Sequence, residues 1–156
     1  MRRLICCLIV LGLLIPQAAL AAVRGRKAMY VGGTFQNIPQ NAQGQLTFEE
    51  DKLVFKLEKG KDTITMPYKA VETIEYGQKA GRRLGVALAV SPLFLFSKKR
   101  KHYVTISFVD ADGKKQGAVL ELAKGIVSDT LKTLETKTGK KVEYESDEAK
   151  ATAEKS

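Results

Sequence analysis

The chain has 156 residues, with 26 lysines and arginines against 17 aspartates and glutamates, and a formal net charge of +9 at pH 7. This length is that of one domain with a hydrophobic core, and the excess of positive charge favours anionic partners such as phospholipid headgroups. Both cysteines, Cys6 and Cys7, lie in an apolar stretch near the N-terminus, which excludes a disulfide framework for the rest of the chain.

The first 21 residues have the composition of a secretory signal peptide. Arg2 and Arg3 precede an apolar run over 4–15, and the small residues Ala19 and Ala21 on either side of Leu20 form the pattern that signal peptidase recognises. This run of twelve residues is shorter than the roughly 20 that a spanning helix needs, so a cleaved signal is favoured over a retained anchor. We therefore expect an exported protein, periplasmic or extracellular, and this location argues against nucleic acid as a partner.

A short basic linker, 22–27, leads into a region with the two-residue alternation of apolar and polar side chains that is typical of β-strands. Pro67 cannot donate a hydrogen bond to a sheet, so it ends a strand or lies at a sheet edge. The alternation predicts five strands, in the segments 29–35, 46–48, 53–57, 64–66 and 71–76.

Two more strands and a helix follow. The alternation returns over 103–108 and 118–122, on either side of a turn at 110–113. Apolar residues at helical spacing then occupy 127–134, and Gly139 suits the left-handed conformation that ends many helices. This helix is the only one that we predict after the strands.

This order of elements predicts a mainly β domain over 28–144, with about seven antiparallel strands and one C-terminal α-helix. A small sheet buries one face and protects its edges by curling into a partly open barrel, whose open end an amphipathic helix fills. Residues 145–156 are small and charged without an apolar period, so we expect a disordered polar tail there.

The order of elements resembles that of pleckstrin-homology-like domains, including the GRAM-type and bacterial versions. The residues that carry the resemblance are, in chain order, 46–57, 64–76, 103–122 and 134–139. The resemblance implies a binding or scaffolding module rather than an enzyme. Many such domains bind lipid headgroups through basic residues of the first hairpin loop. The corresponding loop, 36–44, contains no lysine or arginine, so no binding residue is transferred from the family.

An apolar insert with basic flanks, residues 79–101, separates the fifth strand from the sixth. Its uncharged apolar segment, 84–96, is too short to span a bilayer as a helix, and Pro92 interrupts it. A shallow hairpin that enters a membrane, with its flanks at the headgroups, fits this composition better. The apolar side chains proposed to contact a membrane or partner are Leu84, Val86, Leu88, Val90, Leu93, Phe94, Leu95 and Phe96. The residues proposed to contact an anionic surface are Lys79, Arg82, Arg83, Lys98, Lys99, Arg100 and Lys101.

Two other environments fit the same apolar segment. It can pack against the barrel as core, or it can be buried in an oligomer interface, because soluble monomers rarely leave such patches exposed. The leading hypothesis is an exported, non-enzymatic module that associates with an anionic membrane surface or an envelope protein. The alternative is a structural protein that self-associates, or docks an envelope partner, through this segment or a sheet edge.

No sequence pattern indicates catalysis, a metal or a cofactor. His102 is the only histidine and no cysteine follows the signal, so the usual ligand set for zinc or iron is lacking. A catalytic triad of Ser91 or Ser97 with His102 and Asp110 lacks the nucleophile-elbow sequence. The turn at 110–113 lacks the glycine that a calcium loop needs at its sixth position. We therefore expect a binding protein and no enzyme.

Overall fold

A computed structural model of the chain describes residues 25–78 and 101–156, together with the backbone of 89–90. The described residues form one mixed β-sheet and two α-helices, α1 (Val127–Thr138) and α2 (Asp147–Glu154). A short 3-10 helix, Tyr68–Ala70, connects the fourth strand to the fifth. The strands are β1 (Arg26–Gly33), β2 (Ala42–Phe48), β3 (Lys52–Leu57), β4 (Thr63–Pro67), β5 (Val71–Gly77), β6 (Ala89–Val90), β7 (His102–Val109), β8 (Lys115–Leu122) and β9 (Val142–Tyr144).

The sheet has the strand order β4-β3-β2-β1-β8-β7-β5-β9, and β6 pairs with β1 outside this path. All of these pairs are antiparallel except β5 with β9, which is parallel. Within the described residues the end strands β4 and β9 do not pair with each other, so the sheet is not closed. The predicted mainly β class is confirmed.

The core lies on the side of the sheet against which α1 packs. Val127, Leu131 and Leu134 of α1 are three to four residues apart, so they share the helix face that is buried in this core. Alternate strand residues meet them, as the two-residue period predicts. The strand residues that are at most 1% exposed include Tyr30, Leu46, Leu53, Phe55, Ile64, Met66, Ile74, Ile106 and Leu120. Each large side chain contributes about 1.5–3 kcal/mol through its burial.

A bulge in β1 determines where β6 pairs. The register between β1 and β8 shifts between Tyr30 and Gly32, which leaves Val31 as the extra residue. β2 pairs with β1 only as far as Tyr30, and β6 pairs with Gly32 and Gly33 beyond it. A Cβ atom at Gly33 would collide with the carbonyl oxygen of Gly117, so the bulge requires glycine at this position.

The C-terminal tail differs from the sequence prediction, because residues 147–154 form α2 where we expected a disordered tail. The Ser146 side chain caps this helix by accepting a hydrogen bond from the backbone nitrogen of Ala149 at 3.2 Å. Ala149 and Ala153, one helical turn apart, are 2% and 1% exposed. Their small side chains let α2 pack closely, although they give no strong apolar signal in the sequence.

The N-terminal predictions are only partly covered by the structure. The signal peptide at 1–21 lies outside the described residues, as do residues 22–24 of the linker. The end of the linker belongs to the domain, because β1 begins at Arg26 and pairs there with Leu46 of β2.

Candidate functional site

Most of the predicted site lies outside the described residues. This holds for every side chain of the apolar segment and for all the basic residues of the flanks except Lys101. The backbone of Ala89–Val90 is described as β6, hydrogen-bonded to Gly32 and Gly33. The described part of the site is therefore the base of the insert, where β5 ends and β7 begins.

The insert leaves the sheet and returns to it at the same place. β5 and β7 are antiparallel neighbours, and Gly77 pairs directly with Tyr103. Opposite residues of an antiparallel pair have Cα atoms about 4.5–5.5 Å apart. Gln78 and Lys101 each lie within two residues of that pair, so both basic flanks are attached to one end of the sheet.

Lys101 forms an ion pair at the base. Its Nζ atom lies 2.9 Å from Oε2 of Glu121, and the two side chains are 32% and 20% exposed. An ion pair this exposed contributes at most about 1 kcal/mol to stability. The Lys101 charge is therefore partly neutralised by Glu121 at the base of the insert.

A hydrogen bond between Tyr76 and His102 joins β5 to β7 at the base. The Tyr76 hydroxyl oxygen is 2.6 Å from His102 Nδ1, and the two rings stack with centroids 6.2 Å apart. Burial lowers the pKa of His102, and the charge of Lys124 lowers it further against the opposing effect of Glu121. Burial, with a smaller effect of Tyr144, raises the pKa of Tyr76 to about 12. The imidazole is therefore neutral and the phenol protonated. The Tyr76 hydroxyl donates to Nδ1 in the tautomer that carries its proton on Nε2, and Nδ1 donates to the hydroxyl in the other tautomer.

The C-terminal strand β9 holds the other side of the base. Tyr144 pairs with Tyr76 in the parallel β5–β9 ladder, and their rings meet edge to face with centroids 5.9 Å apart. The Glu145 backbone nitrogen donates to the Tyr76 carbonyl oxygen at 2.9 Å, and the Glu145 carboxylate accepts from the Gln78 backbone nitrogen at 3.0 Å. Sequence reasoning missed this contact because it joins residues 67 positions apart.

The structure does not assemble the catalytic triad considered from the sequence. His102 and Asp110 lie beyond each other's reach, because β7 separates them by about 26 Å at the usual rise per residue. Asp110 accepts hydrogen bonds within its own hairpin, from the backbone nitrogens of Asp112 and Lys114 and from the Gln116 side chain. Within residues 25–78 and 101–156, no group of three or more His, Cys, Asp or Glu side chains is placed to hold a metal ion.

The loop at 36–44 does not provide an evident anion site. A cleft of about 430 Å³ lies between this loop and the end of β3, lined in part by Asn41, Gln43 and Leu57. Its only charged lining residues are Glu58 and Lys59, whose charges cancel.

Comparisons with known proteins assign no family to the chain. No family model matches it. No curated protein matches it either. Over the part of the chain that the structure describes, no helix has the length and hydrophobicity needed to cross a membrane.

Proposed function

We propose that the protein is an exported, non-enzymatic binding module with a partly open, pleckstrin-homology-like barrel, which associates with an anionic membrane surface through the insert at 79–101. The observation that carries this proposal is the shared attachment of the two flanks beside the Gly77–Tyr103 pair. Because both flanks start from one end of the sheet, their cations can reach the same headgroup layer while the apolar segment between them enters the acyl region.

The composition of the insert supports reversible binding. Eight large apolar side chains gain about 1.5–3 kcal/mol each on full burial, which is an upper bound because a shallow hairpin inserts partially and loses entropy on ordering. Each cation near an anionic surface adds about 1 kcal/mol. Salt screens this second contribution. Binding is therefore expected to need anionic lipid and to weaken as ionic strength rises.

Flotation with lipid vesicles tests this proposal. Lipid-free protein, as the cell exports it, is mixed with vesicles of phosphatidylcholine alone or with added phosphatidylglycerol, and the floating fraction is measured. One variant lacks 84–96, and a second has glutamine at 98–100. A matched control replaces Lys59, Lys61 and Lys69 by glutamine, because these lysines are exposed on the described surface and the loss of charge is equal.

We expect the parent and the matched control to float with anionic vesicles only, and both insert variants to remain in the soluble fraction. If the parent does not float even at low salt, the membrane proposal is wrong. If the control loses as much binding as the flank variant, the attraction is due to net charge and the insert has no special role.

The second candidate function is docking of an envelope protein, or of a second copy, through a sheet edge. It is favoured by β4, which ends the described sheet and pairs with β3 on one side only. Thr63 and Thr65 are exposed along this strand, and an open edge can accept an added strand. Light scattering over a range of protein concentrations tests self-association, and a monomer throughout contradicts it.

A further inference from the structure

The side of the sheet that faces away from α1 is buried at its centre. Val31, Val119 and Tyr103 are 0%, 0% and 3% exposed, although none of them belongs to the core cluster. Thr105 and Ser107 follow Tyr103 at alternate positions of β7 and are 6% and 9% exposed. We call these five residues the outer face. A sheet with one covered side leaves such residues in water, so their burial requires an explanation.

The described elements do not account for this burial. Those outside the sheet bury their side chains in the core cluster, on the other side. This is shown by Ile38 of the loop at 36–44, Tyr68 of the 3-10 helix, Leu131 of α1 and Ala153 of α2. Moreover, the hydroxyl of Tyr103 is buried without a hydrogen-bond partner, and burial raises the pKa of Tyr103 to about 12. These features indicate an apolar environment above the outer face.

We propose that the outer face is the docking surface for the apolar segment of the same chain, residues 84–96, when no membrane is present. The main support is β6, which belongs to this segment. Its residue Val90 pairs with Gly32, directly after Val31 of the outer face. The base of the insert lies further along the sheet, where Tyr103 pairs with Glu121 and Glu121 pairs with Met29 of β1.

The length of the connection agrees with a path over the outer face. From β5 to β6 the chain must pass β7, β8 and β1, which is about 19 Å at the usual strand spacing. It must also move about four residues along the strands, or about 13 Å. The ten residues at 79–88 reach at most about 36 Å when extended, which is sufficient for this diagonal. The route on the other side of the sheet is filled by core residues such as Ile106 and Leu120.

The N-terminal apolar run at 4–15 is the competing occupant. It is connected to the sheet only through Gly25, whereas the apolar segment is connected both at the base and through β6. A cleaved signal would also leave the outer face uncovered in the exported protein. The attachment at both the base and β6 favours the apolar segment, and the experiment below distinguishes the two occupants.

Oxidation of tyrosine side chains by hydroxyl radicals, read by mass spectrometry on lipid-free protein, tests the proposal. We expect Tyr103 to be as protected as the core residues Tyr30 and Tyr76. When 84–96 is replaced by a glycine-serine loop of equal length, oxidation of Tyr103 should rise several-fold while the two core tyrosines stay protected. Unchanged protection of Tyr103 overturns the proposal. Increased oxidation of Tyr103 after removal of 1–21 alone also overturns the proposal, because it shows that the N-terminal run covers the outer face.

A second measurement does not depend on the folding of the loop variant. The chain has no tryptophan, so Phe94→Trp introduces a single tryptophan whose fluorescence can be excited selectively. Cys6 and Cys7 are replaced by serine, so that the label attaches only to the introduced cysteine. A nitroxide on Met29→Cys, beside the outer face, should quench this tryptophan several-fold more than the same label on Lys132→Cys of α1. Equal quenching from the two positions overturns the proposal. Because neither measurement contains lipid, failure of vesicle binding leaves this inference intact.

Discussion

Replacing Tyr76 by phenylalanine removes one hydroxyl from the base of the insert and keeps the buried ring. In the protein this hydroxyl lies 2.6 Å from His102 Nδ1 and is hydrogen-bonded to it. An intramolecular hydrogen bond of this kind contributes about 0.5–1.5 kcal/mol, and its loss leaves the ring nitrogen without its partner. We therefore expect the free energy of unfolding at about pH 8, where histidine is neutral, to fall by about 1 kcal/mol.

Thermal unfolding measures this change. At about 2.1 cal/mol/K per residue, a domain of roughly 130 residues loses about 4 °C in Tm for each 1 kcal/mol. Tyr103→Phe is the matched control, because it also removes a buried hydroxyl but one that has no hydrogen-bond partner. It should leave Tm unchanged or raise it. Equal losses in the two variants, or no loss in Tyr76→Phe, would refute the stabilising role of the Tyr76–His102 hydrogen bond.

The protonation of His102 makes the stability of the domain depend on pH. Because the pKa of His102 is lowered from 6.5 in the folded protein, the unfolded chain binds the proton more readily. The free energy of unfolding therefore decreases as pH falls through 6.5 towards the folded pKa. Burial of the ring is the main cause of this shift, and His102→Gln should remove its contribution to the pH dependence. A parent with constant stability across this range would contradict the assignment.

Two further sites give predictions that urea unfolding checks. Ser146→Ala removes the N-cap of α2, where the serine side chain accepts from the Ala149 nitrogen, and should cost about 1 kcal/mol, whereas Ser146→Asp should restore most of it. Gly44→Ala places a Cβ atom 2.5 Å from Cζ of Phe55 and should cost about 1–3 kcal/mol through overpacking. Gly139→Ala meets open space but keeps a φ of 69°, so it should cost about 1 kcal/mol from backbone strain alone. The close-contact argument is wrong if Gly44→Ala is as stable as the parent.

The strands could be predicted from the sequence because burial alternates along them. Leu53, Phe55 and Leu57 of β3 are 1%, 0% and 7% exposed, and the residues between them point away from the core. Pro67 occupies the end of β4, the outermost strand on that side of the described sheet, as expected for a residue that cannot donate. A period of two residues determines which face a side chain occupies, and that information is local.

The pairing order could not be predicted in the same way, because alternation does not identify the neighbouring strand. β1 pairs with β8, so that Ala28 meets Leu122, and β9 adds a parallel strand beside β5. Both pairings join distant parts of the chain. The base of the candidate site depends on them, since Tyr144 and Glu145 reach Tyr76 only through the parallel β9.

The alternation of polar and apolar residues along β7 did not predict which side chains are exposed. Thr105 and Ser107 occupy positions that normally face water, yet they are 6% and 9% exposed. Threonine and serine have small side chains, which can be buried beneath a segment that packs on the outer face. A sequence pattern within one strand cannot indicate that a distant segment covers its second face. The burial of the outer face therefore appears only in the structure.

The two proposals compete for the same apolar segment, and this competition is testable. If 84–96 leaves the outer face to enter a membrane, side chains such as Val31 and Val119 lose their cover, which opposes binding by about 1.5–3 kcal/mol per large side chain. A substitution that weakens the outer face should then strengthen vesicle binding. We expect Val119→Ala to float at a lower anionic lipid content than the parent, and Val54→Ala, at a half-buried position of β3, to float like the parent. Equal flotation of all three proteins would show that the outer face and the membrane do not compete for the segment.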